Sequence, residues 1–389
     1  MLVEESPEMS RFRLPATLGS RFNRVERIAV LRGGGLGDLF FALPAICSLA
    51  AAYPDAAVTL LGSPGHRALL QDRAGPIAAV EVLPAIPGIR DVPGDSRADT
   101  AAADEFMDRM RLQHFDLAVQ LHGGGANSNP FVHRLEARHT VGCAAPKAVP
   151  LERNLPFRFY QHEALRWLEV ASLAGAPAVC LEPLLEVSAA ERLAALAWGE
   201  PGTRGMAVIH PGASDPRRCW PAGNFAQMAA LLAQEGYQVL VIGDVDEVDL
   251  AASVVGQAQC TAGTPAARQL ISSVAGKIQL PVLAGLLAEC QVFLGNDSGP
   301  RHLAQAVGAR TASIYWCGNV INAGPLSRAK HRIQVGWLVQ CPVCGVAAAG
   351  EATERCGHDE SFVGDVRPDA VQRDLLSLLA ESNGRDPNT

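Results

Sequence analysis

GNDSGPRHLAQAVGARTASIY, residues 295–315, decides the fold, because it reads in turn as a strand end, a polar loop, a short helix and another strand. An apolar run at 291–294 leads into it. Asn296, Asp297 and Ser298 are residue types that cap helix N-termini; the helix runs through Ala306, Gly308 stops it, and 311–315 resume as a strand. Such a turn directs free backbone N–H groups, with Asp297, Ser298 and His302, at the carboxyl edge of a sheet. There the helix dipole favours an anion such as a phosphate. The same residues also describe an ordinary capped helix with a satisfied histidine one turn in.

Outward from this stretch, the chain has the bulk for more than one domain: 389 residues, 48% of them hydrophobic, with only 5% aromatic. Ala, Val, Leu and Gly dominate, which suits α/β layers better than an aromatic-rich sandwich. The net charge of −7 argues against a general nucleic-acid partner. No apolar run reaches spanning length and the opening MLVEESPEMS is acidic, which together imply a cytoplasmic protein. Residues 1–24 form an arm in which Arg11, Arg13, Arg21 and Arg24 alternate with apolar residues. It reads either as a contact for an anionic membrane surface or as a leader packed loosely on the first domain.

RIAVLR, GGGLGD and the apolar run from Leu39 make a strand, a glycine-rich turn and a helix, with a second strand at 58–61. The dinucleotide fingerprint fails, because Asp38 stands where its last glycine belongs and no acidic residue closes the second strand. Asp38 sits at the mouth of the first helix, as a cap or beside space that the glycines clear for a ligand. Further strands at 79–83 and 116–121 follow; the latter runs into HGGGANSN, which brings His122 and Asn127 to the same sheet edge as Asp38. Residues 25–175 read as one Rossmann-like domain and the proline-rich 176–204 as an interdomain connection. From 205 the pattern restarts and continues to 389. The fold class is α/β, with two doubly wound Rossmann-like domains facing across a cleft that holds the ligand.

Three segments, VLRGGGLGDLFFALPAICSLAAAYPDAAVTLL, VIHPGASDPRRCWPAGNFAQMAALLAQEGYQVLVIGDVDE and LAGLLAECQVFLGNDSGPRHLAQAVG, taken in this order and spacing, resemble the ADP-heptose:lipopolysaccharide heptosyltransferases of glycosyltransferase family 9. The resemblance implies a GT-B fold and inverting transfer of a heptose from ADP-heptose to a hydroxyl of a lipopolysaccharide core or related glycan. It also implies no cofactor for catalysis. Asp38 matches the family's proposed base and Arg218 its basic residue before Trp-Pro. His210, Gly212, Ser214, Glu247, Asp297, Ser298, Gly299 and His302 fall in the donor-binding segments, and Gly35, Gly37, His122 and Asn127 on the acceptor side. A glycolipid acceptor would place the protein at the cytoplasmic face of the inner membrane. A protein hydroxyl as acceptor, and a nucleotide-sugar epimerase, are the alternatives. Asp244 and Asp246 imitate a metal-binding Asp-x-Asp but stand where cap and turn residues belong. The C-terminal helix from Pro368 resembles a family helix that packs back toward the other domain.

Cys341, Cys344, Cys356 and His358 give four soft ligands at spacings that suit a structural Zn or, less readily, Fe site. Reduced thiols in a loop are the other reading. The rest of the ten cysteines sit mostly in apolar segments as reduced core residues.

Overall fold

Short runs of Val, Ile, Leu and Ala bounded by Gly, Pro and Asp turns form strands that can be covered on both faces, and such strands assemble into parallel sheets. The computed structural model describes residues 17–71, 73–91, 100–350 and 355–382. It contains two six-stranded, wholly parallel sheets in two units. One unit comprises the chain up to Gly34 with Phe41–Arg158 and Glu163–Glu182; the other runs from Pro183 and includes Gly35–Phe40 and Phe159–His162.

In the first unit β1 (Arg27–Leu31), β2 (Ala57–Gly62), β3 (Ala79–Val82), β4 (Leu117–Gln120), β5 (His139–Ala144) and β6 (Arg153–Pro156) lie in the order β3-β2-β1-β4-β5-β6. In the second, β7 (Met206–His210), β8 (Gln238–Val241), β9 (Ile271–Ser273), β10 (Val292–Asn296), β11 (Thr311–Trp316) and β12 (His331–Gly336) lie in the order β12-β11-β10-β7-β8-β9. Numbered from its own first strand, the second sheet repeats the order of the first. Both are doubly wound, the two-domain α/β arrangement of the GT-B class. In each the order reverses beside the first strand, at β1/β4 and at β7/β10, and open sheets bind ligands outside the carboxyl ends at such a switch point. Two pairs of loops are singled out by this topology: 32–35 with 121–127, and 211–220 with 297–299.

Strands β7 and β10 are buried throughout. The helix Ala222–Gln234 covers them with Phe225, Met228 and Leu232, and Trp220 meets Phe225 edge to face at 5.1 Å. The C-terminal helix Pro368–Ser382 adds Val371, Leu375, Leu378 and Leu379 to this same core, so its apolar face is spent on the second unit. Residues 176–182 group with the first unit and those from 183 with the second. There the helix Ala189–Leu196, opened by a capping box of Ser188 and Glu191, packs on the helix Leu280–Glu289. The approach is so close that a Cβ on Gly285 would lie 2.2 Å from the Glu191 carbonyl oxygen.

Arg11 and Arg13 of the N-terminal arm lie outside the described residues. The described end of the arm is pinned to the first unit. Gly19 N–H donates to Ser172 O at 3.0 Å and Phe22 N–H to the Tyr53 hydroxyl at 3.0 Å. The Phe22 ring stacks on His139 with the Arg153 guanidinium 3.8 Å from its centre. Among the described residues no helix is long and apolar enough to cross a membrane.

Candidate active site

At the second switch point the helix Gly299–Ala306 starts immediately after β10. Ser298 holds the N-cap position, yet its hydroxyl makes no capping bond, and its two neighbours are also used elsewhere. Of the two readings of this stretch, a helix closed by its own side-chain cap is not the one formed. Asn296, the last residue of β10, accepts from Trp220 N–H at 3.0 Å and donates to Pro211 O at 2.7 Å, which locks the loop after β7 against the loop after β10. The first turn of the helix therefore keeps N–H groups that no Ser298 side chain covers.

Asp297 is the hub. Its Oδ1 faces His302 Nε2 at 3.0 Å, and its Oδ2 accepts from Arg218 at 3.3 Å and from Asn319 at 3.0 Å. Burial alone would push this carboxyl up, but the donors from His302, Arg218 and Asn319 outweigh it and hold Asp297 below its usual range. Arg301, wholly buried over the Tyr315 ring, donates to His302 Nδ1 at 3.1 Å and to Gln305 at 2.7 Å. Since a guanidinium has no acceptor, Nδ1 must be the bare nitrogen, and Nε2 carries the hydrogen that Asp297 receives. Burial pushes His302 down, and the Arg301 charge adds to the fall against the pull of Asp297. His302 is thus a neutral imidazole of fixed tautomer. Arg218 also donates to Ser214 at 2.8 Å and keeps a fifth of its side chain open to solvent (21%).

A second chain of bonds runs alongside. His210 Nε2 faces Glu247 Oε2 at 3.0 Å and His210 Nδ1 faces the Ser298 hydroxyl at 3.0 Å, with the imidazole 4% exposed. Burial pushes Glu247 up, but the His210 hydrogen bond and charge overcome it and hold the carboxyl below its ordinary value. Gly212 is explained by this pair, because a Cβ there would fall 1.7 Å from Glu247 Oε1. Asp244 accepts from the N–H groups of Asp246 and Glu247, a turn-closing role. The structure therefore joins His210, Ser214, Arg218, Glu247, Asp297, Ser298 and His302 in two adjoining networks, with Gly299 opening the helix beside them. Asn319 and Arg301 belong to the same networks and carry no local sequence signal: one lies after β11 and the other occupies a variable-looking place between Gly299 and His302.

In the segment Gly35–Phe40, which follows β1 and groups with the second unit, Asp38 is the third residue of the helix Leu36–Ala52, and its Oδ2 accepts from Gly35 N–H at 2.9 Å. That is the reciprocal half of a capping box. Gly37 is the second residue of the helix. The three glycines differ: a Cβ on Gly33 would strike Ile89 O at 1.9 Å, Gly34 has φ +84°, and Gly35 meets nothing nearer than Asp38 at 3.9 Å. Only Gly35 leaves open space. His122 Nε2 lies 3.1 Å from Gly88 O, and Asn127 packs where a Gly88 side chain would stand, so both are occupied with the 86–90 turn. Gln120, unremarkable in sequence, organises the HGGGANSN loop. It donates to Ser128 at 2.6 Å and to His122 O, and accepts from Cys143 N–H at 3.2 Å.

The four C-terminal candidates converge. One ligand atom from each of Cys341, Cys344, Cys356 and His358 lies within 4.8 Å of the others, against about 3.8 Å between thiolates in a tetrahedral site with Zn–S near 2.3 Å. A tight turn, with Gly345 N–H donating to Cys341 O at 2.9 Å and Gly345 at φ +72°, brings the first two together. Backbone N–H of Cys344 draws the Cys341 thiol down to about 7, and His358 Nδ1 is buried without a hydrogen-bond partner. Just beyond the cluster the chain straps the loop that carries Arg218. Phe362 N–H donates to Arg217 O at 2.7 Å, the Ser361 hydroxyl to Cys219 O at 2.7 Å, and Trp220 Nε1 to Val366 O at 2.9 Å.

Two doubly wound domains, with a helix N-terminus, a cation and paired histidines at the switch point of the second, define an α/β protein of the GT-B fold class. The chain belongs to glycosyltransferase family 9 (heptosyltransferase), whose sequence model matches residues 105–341. Lipopolysaccharide heptosyltransferase 2 of Salmonella typhimurium is 29% identical over 213 residues, a match that spans 53% of this chain and only 56% of that relative. The fold is similar to that of ADP-heptose LPS heptosyltransferase II from E. coli, with TM-score 0.71 and 19% identity over 92% of this chain and 99% of that one. It is also similar to that of the dodecameric iron-containing heptosyltransferase TibC from E. coli, with TM-score 0.53 and 14% identity over 95% and 80%.

Proposed function

We propose that the protein is an inverting glycosyltransferase that moves a heptose from ADP-heptose to a hydroxyl of a lipopolysaccharide core or related cell-surface glycan. The observation that carries this is the Arg218–Asp297–His302 network at the start of the helix Gly299–Ala306. Inversion in one displacement needs a site for the charge that develops on the departing diphosphate, and a fixed cation beside free helix N–H groups supplies it without reorganisation. Arg218 holds the phosphates and Ser214 and Ser298 add hydroxyls, while Glu247 stands in the loop assigned to the nucleoside. Asp38, whose Oδ2 already accepts from Gly35 N–H, is assigned the proton of the attacking hydroxyl. Gly35, Gly37, His122 and Asn127 are assigned to the acceptor side, the last two shaping it through the turn around Gly88. A lipid-linked acceptor places the work at the cytoplasmic face of the inner membrane. The test is incubation of purified protein with ADP-heptose and a heptose-deficient core oligosaccharide. A mass gain of one heptose on the acceptor with matching ADP release is expected; neither product at any enzyme level would end the proposal.

We also infer that Cys341, Cys344, Cys356 and His358 hold Zn or Fe in a structural site, on the strength of their convergence and of the orphaned His358 nitrogen. The metal would supply a crosslink between two segments and take no part in transfer. Protein purified without a metal-affinity column should carry about one equivalent; less than about half would refute the site.

A further inference from the structure

His210 lies between a carboxylate and a hydroxyl, and counting hydrogens along that line fixes which way each bond points. Glu247 is held ionised and is acceptor-only, so His210 Nε2 must carry a hydrogen toward it at 3.0 Å. In its uncharged form the imidazole has only that one hydrogen. Its Nδ1 is then an acceptor, and the Ser298 hydroxyl, 3.0 Å away and free of any capping duty, spends its hydrogen on His210. In this resting state Ser298 shows only lone pairs to the space before the helix Gly299–Ala306. A diphosphate presents lone pairs too. The two repel unless the hydroxyl turns round, and turning leaves Nδ1 without a donor unless Nδ1 gains a hydrogen of its own.

We propose that His210 takes up one proton from solvent when a nucleotide diphosphate sugar binds, and that this proton frees the Ser298 hydroxyl to donate to the diphosphate. The balance is simple: a solvent proton adds to Nδ1, Nδ1–H then donates to Ser298 Oγ, and the Ser298 hydrogen rotates onto a phosphate oxygen. Glu247 keeps its charge and faces an imidazolium. His210 is a positioning residue, acting on the ligand through Ser298. Glu247 is the charged group in contact with it, and the loops that carry its partners also bear Asp244 after β8, Asp215, Arg217 and Arg218 after β7, and Asp297 with His302 after β10. His302 does not take the proton, because Arg301 already donates to its Nδ1 and Asp297 receives its Nε2 hydrogen.

The inference rests on the proposed donor. Titration calorimetry of ADP-heptose, whose diphosphate diester has no proton titrating near neutrality, in buffers of differing ionisation enthalpy gives affinity and proton uptake separately. Uptake approaching about one proton per site at alkaline pH is expected, with affinity falling about tenfold per pH unit there. Ser298→Ala should bind more weakly with no uptake and a flat pH profile, while His302→Gln should retain the uptake. Binding by the wild type without uptake between about pH 6 and 9 overturns the relay and leaves the donor assignment standing. Full uptake by Ser298→Ala also overturns it, by putting the proton elsewhere. Absence of any ADP-heptose binding overturns both.

Discussion

Replacing Arg218 by alanine removes the only side chain that joins Ser214 to Asp297 in the network described. In the resting geometry one terminal nitrogen serves Asp297 at 3.3 Å and the other Ser214 at 2.8 Å, which leaves Nε–H and a second hydrogen on each terminal nitrogen for a ligand. The long 3.3 Å contact is the weaker one, so the guanidinium can shift toward a phosphate without breaking a short bond. Hydrogen bonds to charged groups contribute about 1.5–3 kcal/mol each, and two of them to a departing diphosphate come to about 3–4 kcal/mol after solvent competition at a partly open side chain. That corresponds to a fall of about 10²–10³ in kcat/KM, the range seen when one donor to a developing oxyanion is removed. Arg218→Lys keeps the charge but cannot span both partners and should recover only part of the loss. The assay is initial-rate ADP release with acceptor present, alongside thermal unfolding to confirm the fold. An Arg218→Ala rate within about threefold of wild type, in folded protein, would refute the leaving-group assignment.

Asp38→Asn retains an acceptor for Gly35 N–H yet is a far poorer base, so turnover should drop at least about a hundredfold while ADP-heptose affinity by calorimetry stays within about twofold. Equal turnover in the variant would leave Asp38 as a helix cap alone. Arg301→Met removes both the donor to His302 Nδ1 and the charge that depresses it, so the His302 titration, followed by imidazole NMR, should move upward toward the Asp297-paired value. Because burial and then Arg301 hold the wild-type folded pKa below the unfolded value, the stability of the neutral His302 is lost as pH falls through the unfolded pKa, and the variant should lose less of it on acidification. An unmoved titration would show that burial alone sets the state of His302.

Local order was the legible part of this chain. The turns at 32–38 and 295–299 can be read directly, because glycine, capping residue types and an apolar helix follow one another within a dozen positions. Strands β6 and β9 escape such reading: Arg153–Pro156 and Ile271–Ser273 lie at sheet edges, and pairing with β5 and β8 makes them strands where their own residues do not. Site chemistry splits the same way. Asp297, Ser298 and His302 announce themselves by type and spacing, but their hydrogen-bond partners Arg218, Asn319 and His210 come from distant segments, and only the switch-point topology brings them within reach. Arg301 is the clearest case of what sequence withholds. A surface-type residue in a helix reads as solvated, and here it is sealed beneath the site with Tyr315 and Gln305. His122 and Asn127 show the converse, since residues that look free for a ligand are engaged by the turn around Gly88.

The strap formed by Ser361, Phe362 and Val366 gives the cysteine cluster a voice in assays that never look at metal. Under the proposed metal site, loss of the metal or substitution of a cysteine should reach first the backbone at Arg217 and Cys219, on either side of Arg218, which Phe362 and Ser361 bind. A preparation stripped in this way would keep its melting curve nearly intact and present itself as an enzyme with poor grip on its nucleotide. If the proposed metal is bound there, batch-to-batch scatter in KM would trace its occupancy.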